Sequence, residues 1–160
     1  MLAEAIRKKL GKAVKEEKGF TLIELLAVIV ILGIIAVIAI PMIGNVIDNS
    51  KKDSDVATAR QVYDAARLYV IGEKGGGFKE TNGLTINIGP KTTEGTLQNM
   101  GYLESPMYLP STKEEITGGT VTFNSSGELT GVTLTPKSSA ASNSTSGLFS
   151  PEQILKATRK

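Results

Sequence analysis

The chain has 160 residues, with 18 lysines and arginines against 16 acidic residues. It contains neither cysteine nor histidine, which excludes disulfides, most structural zinc sites and every histidine-based general base. No cofactor is expected. An enzyme is not expected either, because the serine-rich segments offer hydroxyls but no base to activate one.

Residues 1–19 are distinctly basic. They carry six basic and three acidic side chains, a net charge of +3, whereas residues 20–160 have a net charge of −1. Leu2, Ile6, Leu10 and Val14 recur every four residues, which predicts a weak amphipathic helix over residues 2–17. A basic segment before an apolar one is typical of the side that stays in the cytoplasm. Residues 1–19 are therefore interpreted as a leader peptide.

A long apolar segment follows the leader. Residues 25–40 contain no polar side chain, and the segment from Phe20 to Ile43 would extend about 36 Å as a helix. That length spans a hydrocarbon core of about 30 Å, so residues 20–44 are predicted to cross a membrane. Glu24 lies near the start of this segment, where an unpaired carboxylate costs several kcal/mol. The acid therefore needs an explanation.

The helical pattern continues through residues 45–74. One face is apolar at spacings of three and four residues, and it consists of Val56, Ala59, Val62 or Tyr63, Ala66, and Tyr69 or Val70. Arg60, Asp64 and Arg67 lie on another face, where they are close enough to form ion pairs. Gly75–Gly77 ends the helix. Asp48, Asp53 and Asp55 fall on the helix rather than in a loop with calcium-ligand spacing, so no metal site is predicted.

Residues 75–135 are predicted to form a loop and an antiparallel sheet. Leu84–Ile88 alternates apolar and polar residues, as a short strand does. Residues 94–103 are predicted to be a short helix, and residues 120–135 a hairpin around Asn124–Gly127, with a bulge near Gly131. The chain offers only the helix face at Val56–Val70 to cover this sheet. The expected fold class is therefore α+β, with a long N-terminal helix packed on a small antiparallel sheet.

Residues 136–160 are the hardest segment to interpret. Residues 136–149 are rich in serine and lack periodicity, which favours a linker. Ser150, Pro151 and Gln153 then form a helix-start pattern with a capping box, and a short helix is predicted over Pro151–Thr158.

Processing of the chain would explain both the abrupt start of the apolar segment and the retained acid. Cleavage between Gly19 and Phe20 would create a new α-amino group on Phe20. Glu24 would then lie one helical turn from that amine. If helices pack side by side with an axial offset, Glu24 of one chain meets the amine of the next. A paired charge is tolerated in apolar surroundings where a lone one is not.

The stretch Lys18-Gly19-Phe20-Thr21-Leu22-Ile23-Glu24, followed by a long apolar helix, resembles the processing motif of type IV prepilins and their relatives. The resemblance implies a membrane-bound prepilin peptidase that cuts after Gly19 and N-methylates Phe20. It implies that Glu24 aligns subunits during assembly. Gly33 and Pro41 match the residues that loosen the apolar helix in that family.

The resemblance also implies a pilin-like fold, homo-oligomeric assembly into a helical filament, and an inner-membrane assembly platform with minor pilins as partners. The precursor would be a single-pass protein of the cytoplasmic membrane, and the assembled subunit would lie at the cell surface. DNA stays open as a partner, although the charge pattern does not indicate it. The C-terminal disulfide loop frequent in the family is absent.

Three functions remain open at this point: a structural pilin, a pseudopilin of a type II secretion or competence machine, and a membrane-anchored binding module that does not polymerise. Glu24 argues against the third, because a monomer has no partner amine for it. Residues 136–160 contain one acid, Glu152, against four basic side chains. That composition does not suit the acidic calcium site of major secretion pseudopilins. A competence subunit stays open.

Overall fold

The computed structural model describes residues 1–13 and 19–156, with backbone only over residues 8–13. Parts of two predicted helices, residues 14–17 and 157–158, lie outside the described residues. The chain divides into two compact units, Met1–Gly44 and Asn45–Lys160. Each unit is described by itself below.

The first unit is helical. Helix α1 covers Leu2–Ala13, which agrees with the predicted leader helix over the residues described. Helix α2 begins at Leu22 and runs as 52 residues to Glu73, so its second half belongs to the other unit. Its N-terminal part is long and apolar enough to cross a bilayer. The large apolar side chains there, such as Ile31 and Ile38, are exposed, as expected of a segment made for lipid or for other helices.

The second unit contains a four-stranded antiparallel sheet in the order β1-β2-β3-β4. The strands are β1 Leu84–Asn87, β2 Gly118–Phe123, β3 Leu129–Thr135 and β4 Leu148–Phe149. The predicted hairpin is strands β2 and β3, in which Val121 pairs with Val132. The register shifts beside Gly131, which confirms the predicted bulge. The hairpin turn closes at Gly127, whose φ of 84° favours glycine.

The core lies between α2 and one face of the sheet, as predicted. Val56, Val62 and Val70 of the helix are at most 1% exposed. The sheet contributes Ile86, Val121, Phe123, Val132 and Leu134 to the same buried cluster. The fold class is thus α+β, a long helix with a small antiparallel sheet.

The predicted helix over residues 94–103 is wrong. The segment is a series of turns. Gly95 lies inside the predicted helix with a φ of 78°, which a right-handed helix does not allow, whereas the φ of 82° at Gly101 suits a residue predicted to end the helix. Leu97 is nevertheless buried. Its backbone N–H donates to the carbonyl of Asn87, the last residue of β1, at 3.0 Å, so the segment is hydrogen-bonded to the end of that strand.

The predicted linker over residues 136–149 is also wrong. Ser138, Ala140, Ala141 and Phe149 are buried, and Phe149 pairs with Val132 as part of β4. Serine hydroxyls that made this segment look like a linker, such as that of Ser138, are hydrogen-bonded instead. Composition alone does not reveal which polar side chains have internal partners.

Helix α3, Pro151–Lys156, completes the second unit, and its predicted capping box is confirmed. The Gln153 N–H donates to the Ser150 hydroxyl at 3.3 Å, and the Ser150 N–H donates to the Gln153 side chain at 3.2 Å. Ile154 is fully buried. Arg60 of α2 donates to the Leu155 carbonyl at 3.0 Å and to the Ile154 carbonyl at 3.3 Å, where a cation suits the end of a helix.

Asp55 is a buried acid of α2, and it is hydrogen-bonded to the C-terminal segment of residues 136–156, called the tail below. Its Oδ1 accepts the Ser111 N–H at 2.9 Å, and its Oδ2 accepts the Ser138 hydroxyl. The Ser138 hydroxyl oxygen in turn accepts the Ala140 N–H at 3.0 Å. A network of hydrogen bonds thus holds the C-terminal segment, in a chain that has no cysteine for a disulfide.

Candidate processing and assembly site

The start of α2 brings Thr21 and Glu24 together. The Thr21 N–H and the Thr21 hydroxyl both donate to Glu24 Oε2 at 2.8 Å. The Glu24 N–H donates back to the Thr21 hydroxyl oxygen at 3.3 Å. Thr21 therefore caps the helix and Glu24 completes a capping box, which satisfies two of the amide groups left free at a helix N-terminus.

Sequence reasoning missed this local role of Glu24. The signal was present, since Thr21-Leu22-Ile23-Glu24 has the Thr-x-x-Glu spacing of a capping box. The prediction instead explained the acid through an amine on a neighbouring chain. The two roles are compatible, because the capping box occupies Oε2 and leaves Oε1 without a hydrogen bond to the described residues.

Glu24 has no cationic partner among the described residues. It lines an open groove of about 420 Å³ with Gly19, Phe20 and Thr21. Phe20 is 87% exposed. The structure thus places the predicted cleavage residues and the predicted assembly acid side by side, with both accessible to a partner.

The surroundings of residue 19 do not require a glycine at that position. A Cβ atom added at Gly19 meets no atom within 4 Å, and the backbone there does not have a positive φ. Neither packing nor backbone conformation among the described residues therefore explains a glycine at this position. A requirement from outside the chain, such as a narrow protease subsite, would explain it.

Gly33 and Pro41 both lie inside α2, which continues through them. A Cβ atom at Gly33 also meets nothing within 4 Å. Glycine costs about 1 kcal/mol against alanine in a helix, and proline about 3 kcal/mol. The helix thus carries two unfavourable residues that its own packing does not explain, and their predicted role in loosening the helix stays a prediction.

The charged stripe lies on an exposed helix face, as expected, but the ion pairs that its spacing allows are not formed. Arg60, Asp64 and Arg67 are all exposed, but no ion pair joins them in the described part of the chain. Arg60 instead binds the end of α3, and the Arg67 guanidinium lies 5.8 Å from the centre of the Tyr63 ring. Such cation–π contacts contribute about 0.5–1 kcal/mol at exposed sites.

The end of α2 is joined to the following loops by two exposed pairs. The Tyr102 hydroxyl donates to Glu73 at 3.0 Å, and this hydrogen bond raises the pKa of Tyr102. Lys74 binds Glu80 at 2.9 Å, which raises the pKa of Lys74. Both pairs stabilise the charge state present at neutral pH.

Over the described ranges, 1–13 and 19–156, no three acidic, histidine or cysteine side chains converge as a metal site would require. Asp48 Oδ1 lies 3.9 Å from Lys51 Nζ, and Asp55 accepts the hydrogen bond from the Ser138 hydroxyl.

Comparison with known proteins points to the same residues. The family model described as the prokaryotic N-terminal methylation motif matches residues 14–40. A type IV major alpha-pilin of Moraxella bovis is 40% identical over 76 residues, which cover 43% of this chain and 48% of the relative. The type IV narrow pilus major component PilA5 of Thermus thermophilus is 43% identical over 58 residues, or 36% of this chain and 50% of the relative.

The chain thus spans about half the length of the curated relatives it matches. No solved structure gives a significant match. The chain carries the N-terminal methylation motif of prokaryotic pilins, is similar to type IV pilins, and has the long helix and small sheet of a pilin-like subunit.

Proposed function

We propose that this chain is the structural subunit of a type IV pilus. A prepilin peptidase cuts between Gly19 and Phe20 and N-methylates the new amine. Residues 20–44 hold the subunit in the cytoplasmic membrane as a single-pass protein. The subunit then polymerises through this helix into a filament at the cell surface, with an inner-membrane assembly platform and minor pilins as partners.

The observation that carries the proposal is that Glu24 has no cationic partner among the described residues. The next charged residue after it is Asp48, so residues 25–47 carry no charge. Within the described residues the carboxylate has only the hydrogen bonds from Thr21. Two neutral hydrogen bonds do not neutralise a charge in hydrocarbon, whereas an amine does. Cleavage frees the amine of the exposed Phe20, and the Phe20 amine of a neighbouring subunit pairs with Glu24.

Oligomerisation also explains the exposed apolar surface of α2. A helix in lipid gains little from hiding apolar side chains, so subunits associate in the membrane by close packing and polar pairs. Leaving the membrane for a filament, however, requires that the same side chains be covered by other helices. The unfavourable Gly33 and Pro41 support a helix that adjusts during that transfer.

A pilus is favoured over a pseudopilus by two observations. Both curated relatives are named as major components of type IV pili. In addition, the C-terminal segment carries a single acid, Glu152, which pairs with Lys156 at 2.7 Å rather than joining a cluster of carboxylates.

The test compares filaments from strains that carry Glu24→Ala and Glu24→Gln. Alanine removes both the charge and the capping oxygen, whereas glutamine keeps an oxygen for the Thr21 N–H and removes only the charge. Because a lone amine in an apolar bundle costs about 3–5 kcal/mol, we expect both variants to lower filament yield sharply. Electron microscopy of sheared surface material, labelled with antibody against the chain, measures that yield.

Membrane insertion and cleavage serve as internal controls, and both should stay at wild-type levels in the two variants. Wild-type filament yield from Glu24→Gln would contradict the proposal, because it would show that Glu24 acts only as a helix cap.

A further inference from the structure

Helix α1 of the leader has apolar side chains that no described residue covers. Leu2 is 80% exposed and Ile6 is 52% exposed. The side chains of residues 1–7 are all exposed, and none of them forms a hydrogen bond or an ion pair with another described residue. The proposed function uses only the end of the leader, so it leaves this helix without a role.

The apolar residues of α1 lie on one side of the helix. Ile6 and Leu10 follow Leu2 at the fourth and eighth positions, a spacing that places all three on one face. Ala3 belongs to the same face, because Ile6 and Leu10 follow it at the third and seventh positions. The helix thus has a continuous apolar face along its length.

The basic residues of α1 lie on a different side. Lys8, Lys9 and Lys12 follow Ala5 at the third, fourth and seventh positions, so Ala5 lies on the basic side. The helix carries four basic residues and the single acid Glu4, a net charge of +3. That charge repels a second copy of α1 and attracts an anionic surface.

The chain tethers α1 close to the start of the apolar segment. Six residues, 14–19, separate the last residue of α1, Ala13, from Phe20. A fully extended chain of that length reaches at most about 25 Å. Once residues 20–44 are embedded, α1 is therefore confined to the neighbourhood of the membrane surface on the leader side.

The two sides of α1 match the two layers of such a surface. A helix with lysines on one side and large apolar residues on the other lies in the plane of the membrane, with its apolar face about 5–10 Å into the boundary between headgroups and acyl chains. The cytoplasmic leaflet supplies anionic headgroups, which attract the basic side.

We propose that α1 lies in the plane of the cytoplasmic membrane surface and binds anionic phospholipids. The inference rests on the proposed function, because it requires residues 20–44 to be embedded and residues 1–19 to stay in the cytoplasm. The precursor is thus held at the membrane by two elements, α1 and the membrane-spanning segment. Cleavage after Gly19 separates them, so the mature subunit keeps only the second.

Spin labels on the full-length chain test the proposal. The chain has no cysteine, so a single introduced cysteine carries the nitroxide. Ala3→Cys and Ala5→Cys are a matched pair, because both replace an exposed alanine of α1 and leave every charge in place. The labelled chains are reconstituted in vesicles of phosphatidylglycerol with phosphatidylcholine. Collision rates with oxygen and with a water-soluble nickel chelate, measured by electron paramagnetic resonance, give the depth of each label.

The label at residue 3 should lie about 5–10 Å below the headgroup level, and the label at residue 5 should lie in water. In vesicles of phosphatidylcholine alone, the ratio of membrane-bound to free α1 should fall by about fivefold or more, the effect of one basic contact with an anionic surface. Combined with Ala3→Cys, Ile6→Asn should return the label to water, because it interrupts the apolar face. Glu4→Gln removes the one acid and should leave the label at depth.

Three outcomes would overturn the proposal. One is a water-exposed label at residue 3 in the anionic vesicles. Another is equal depth of the two labels, which would mean that α1 is not oriented by its apolar face. The third is equal binding to vesicles with and without phosphatidylglycerol. A label at residue 3 that is water-exposed in vesicles but immobile in native membranes would assign the apolar face to a protein partner instead.

Protease protection of residues 20–44 in the same vesicles separates this proposal from the proposed function. Protected residues 20–44 together with water-exposed labels would overturn only the role of α1. Failure of residues 20–44 to insert would overturn both proposals.

Discussion

Two carboxylates, Glu24 and Asp55, show how single residues shape this chain. Each is held by a hydroxyl and a backbone N–H, and neither pairs with a cation among the described residues. Asp55 has both oxygens engaged in the protein interior, so its role is complete within one chain. Glu24 has one oxygen engaged and lies exposed in an apolar segment. Its environment is complete only when another group, which we propose to be an amine, is added.

Replacing Asp55 by alanine should destabilise the second unit. The change leaves the Ser111 N–H and the Ser138 hydroxyl without their acceptor, and each unsatisfied buried group costs about 1–3 kcal/mol. Asp64→Ala is the matched control, because Asp64 is an exposed aspartate on the same helix, and its effect should stay within about 0.5 kcal/mol. Chemical unfolding of the chain in detergent, followed by near-UV circular dichroism of its tyrosines, measures both. Equal stability of the two variants would show that Asp55 does not fasten the tail.

At the scale of elements, regular patterns were predictable and irregular ones were not. The apolar face from Val56 to Val70 and the β2–β3 hairpin were found because helix and strand periods repeat over many residues. The turn at Gly95 was missed, since a short stretch with Leu97 and Met100 has the spacing of a helix. The packed tail was missed for another reason. Its Ser138 is hydrogen-bonded to Asp55, which lies far earlier in the chain, and composition does not indicate such a partner.

Because the tail is packed, substitutions of its buried residues should lower the stability of the second unit, which substitutions in a linker would not do. Phe149 is fully buried in the core, so Phe149→Ala should lower the free energy of unfolding by about 3–5 kcal/mol. Leu155 lies on the exposed side of the same segment at 52% exposure, and Leu155→Ala should change it by less than about 0.5 kcal/mol. The unfolding assay used for Asp55 measures both variants. If Phe149→Ala unfolds like the parent, the tail does not pack on the sheet.

The rotation of α2 against the sheet can be tested with one buried and one exposed position. Val62→Asp would place an unpaired charge in the core and should cost about 3–5 kcal/mol, enough to unfold many domains. Arg67→Asp changes an exposed side chain whose guanidinium lies over the Tyr63 ring and should have little effect on folding. Thermal unfolding curves of the two variants measure the difference. A parent-like curve for Val62→Asp together with a collapse of Arg67→Asp would mean that the sheet packs on the other side of α2.

At the scale of the whole molecule, the sequence was most informative at the start of the apolar helix. The stretch from Lys18 to Glu24 pointed to a prepilin, and the methylation-motif match over residues 14–40 agrees. The Thr21 cap was missed although Thr21-Leu22-Ile23-Glu24 has the spacing of a capping box. The hydrogen bonds of Asp55 were missed because their partners lie far away in the sequence. The motif at the start of the apolar helix thus stood out, whereas the long-range hydrogen bonds of Asp55 did not.

The measurement that tests the central claim most directly is the intact mass and N-terminal sequence of the chain isolated from the membranes and surface filaments of its native cell. Processing requires a protease to accept Gly19 and leave the exposed Phe20 as the new terminus. We predict a mature chain that begins at Phe20 and carries one N-methyl group. A native chain that still begins at Met1, or one that is cut within residues 40–60, would contradict the account.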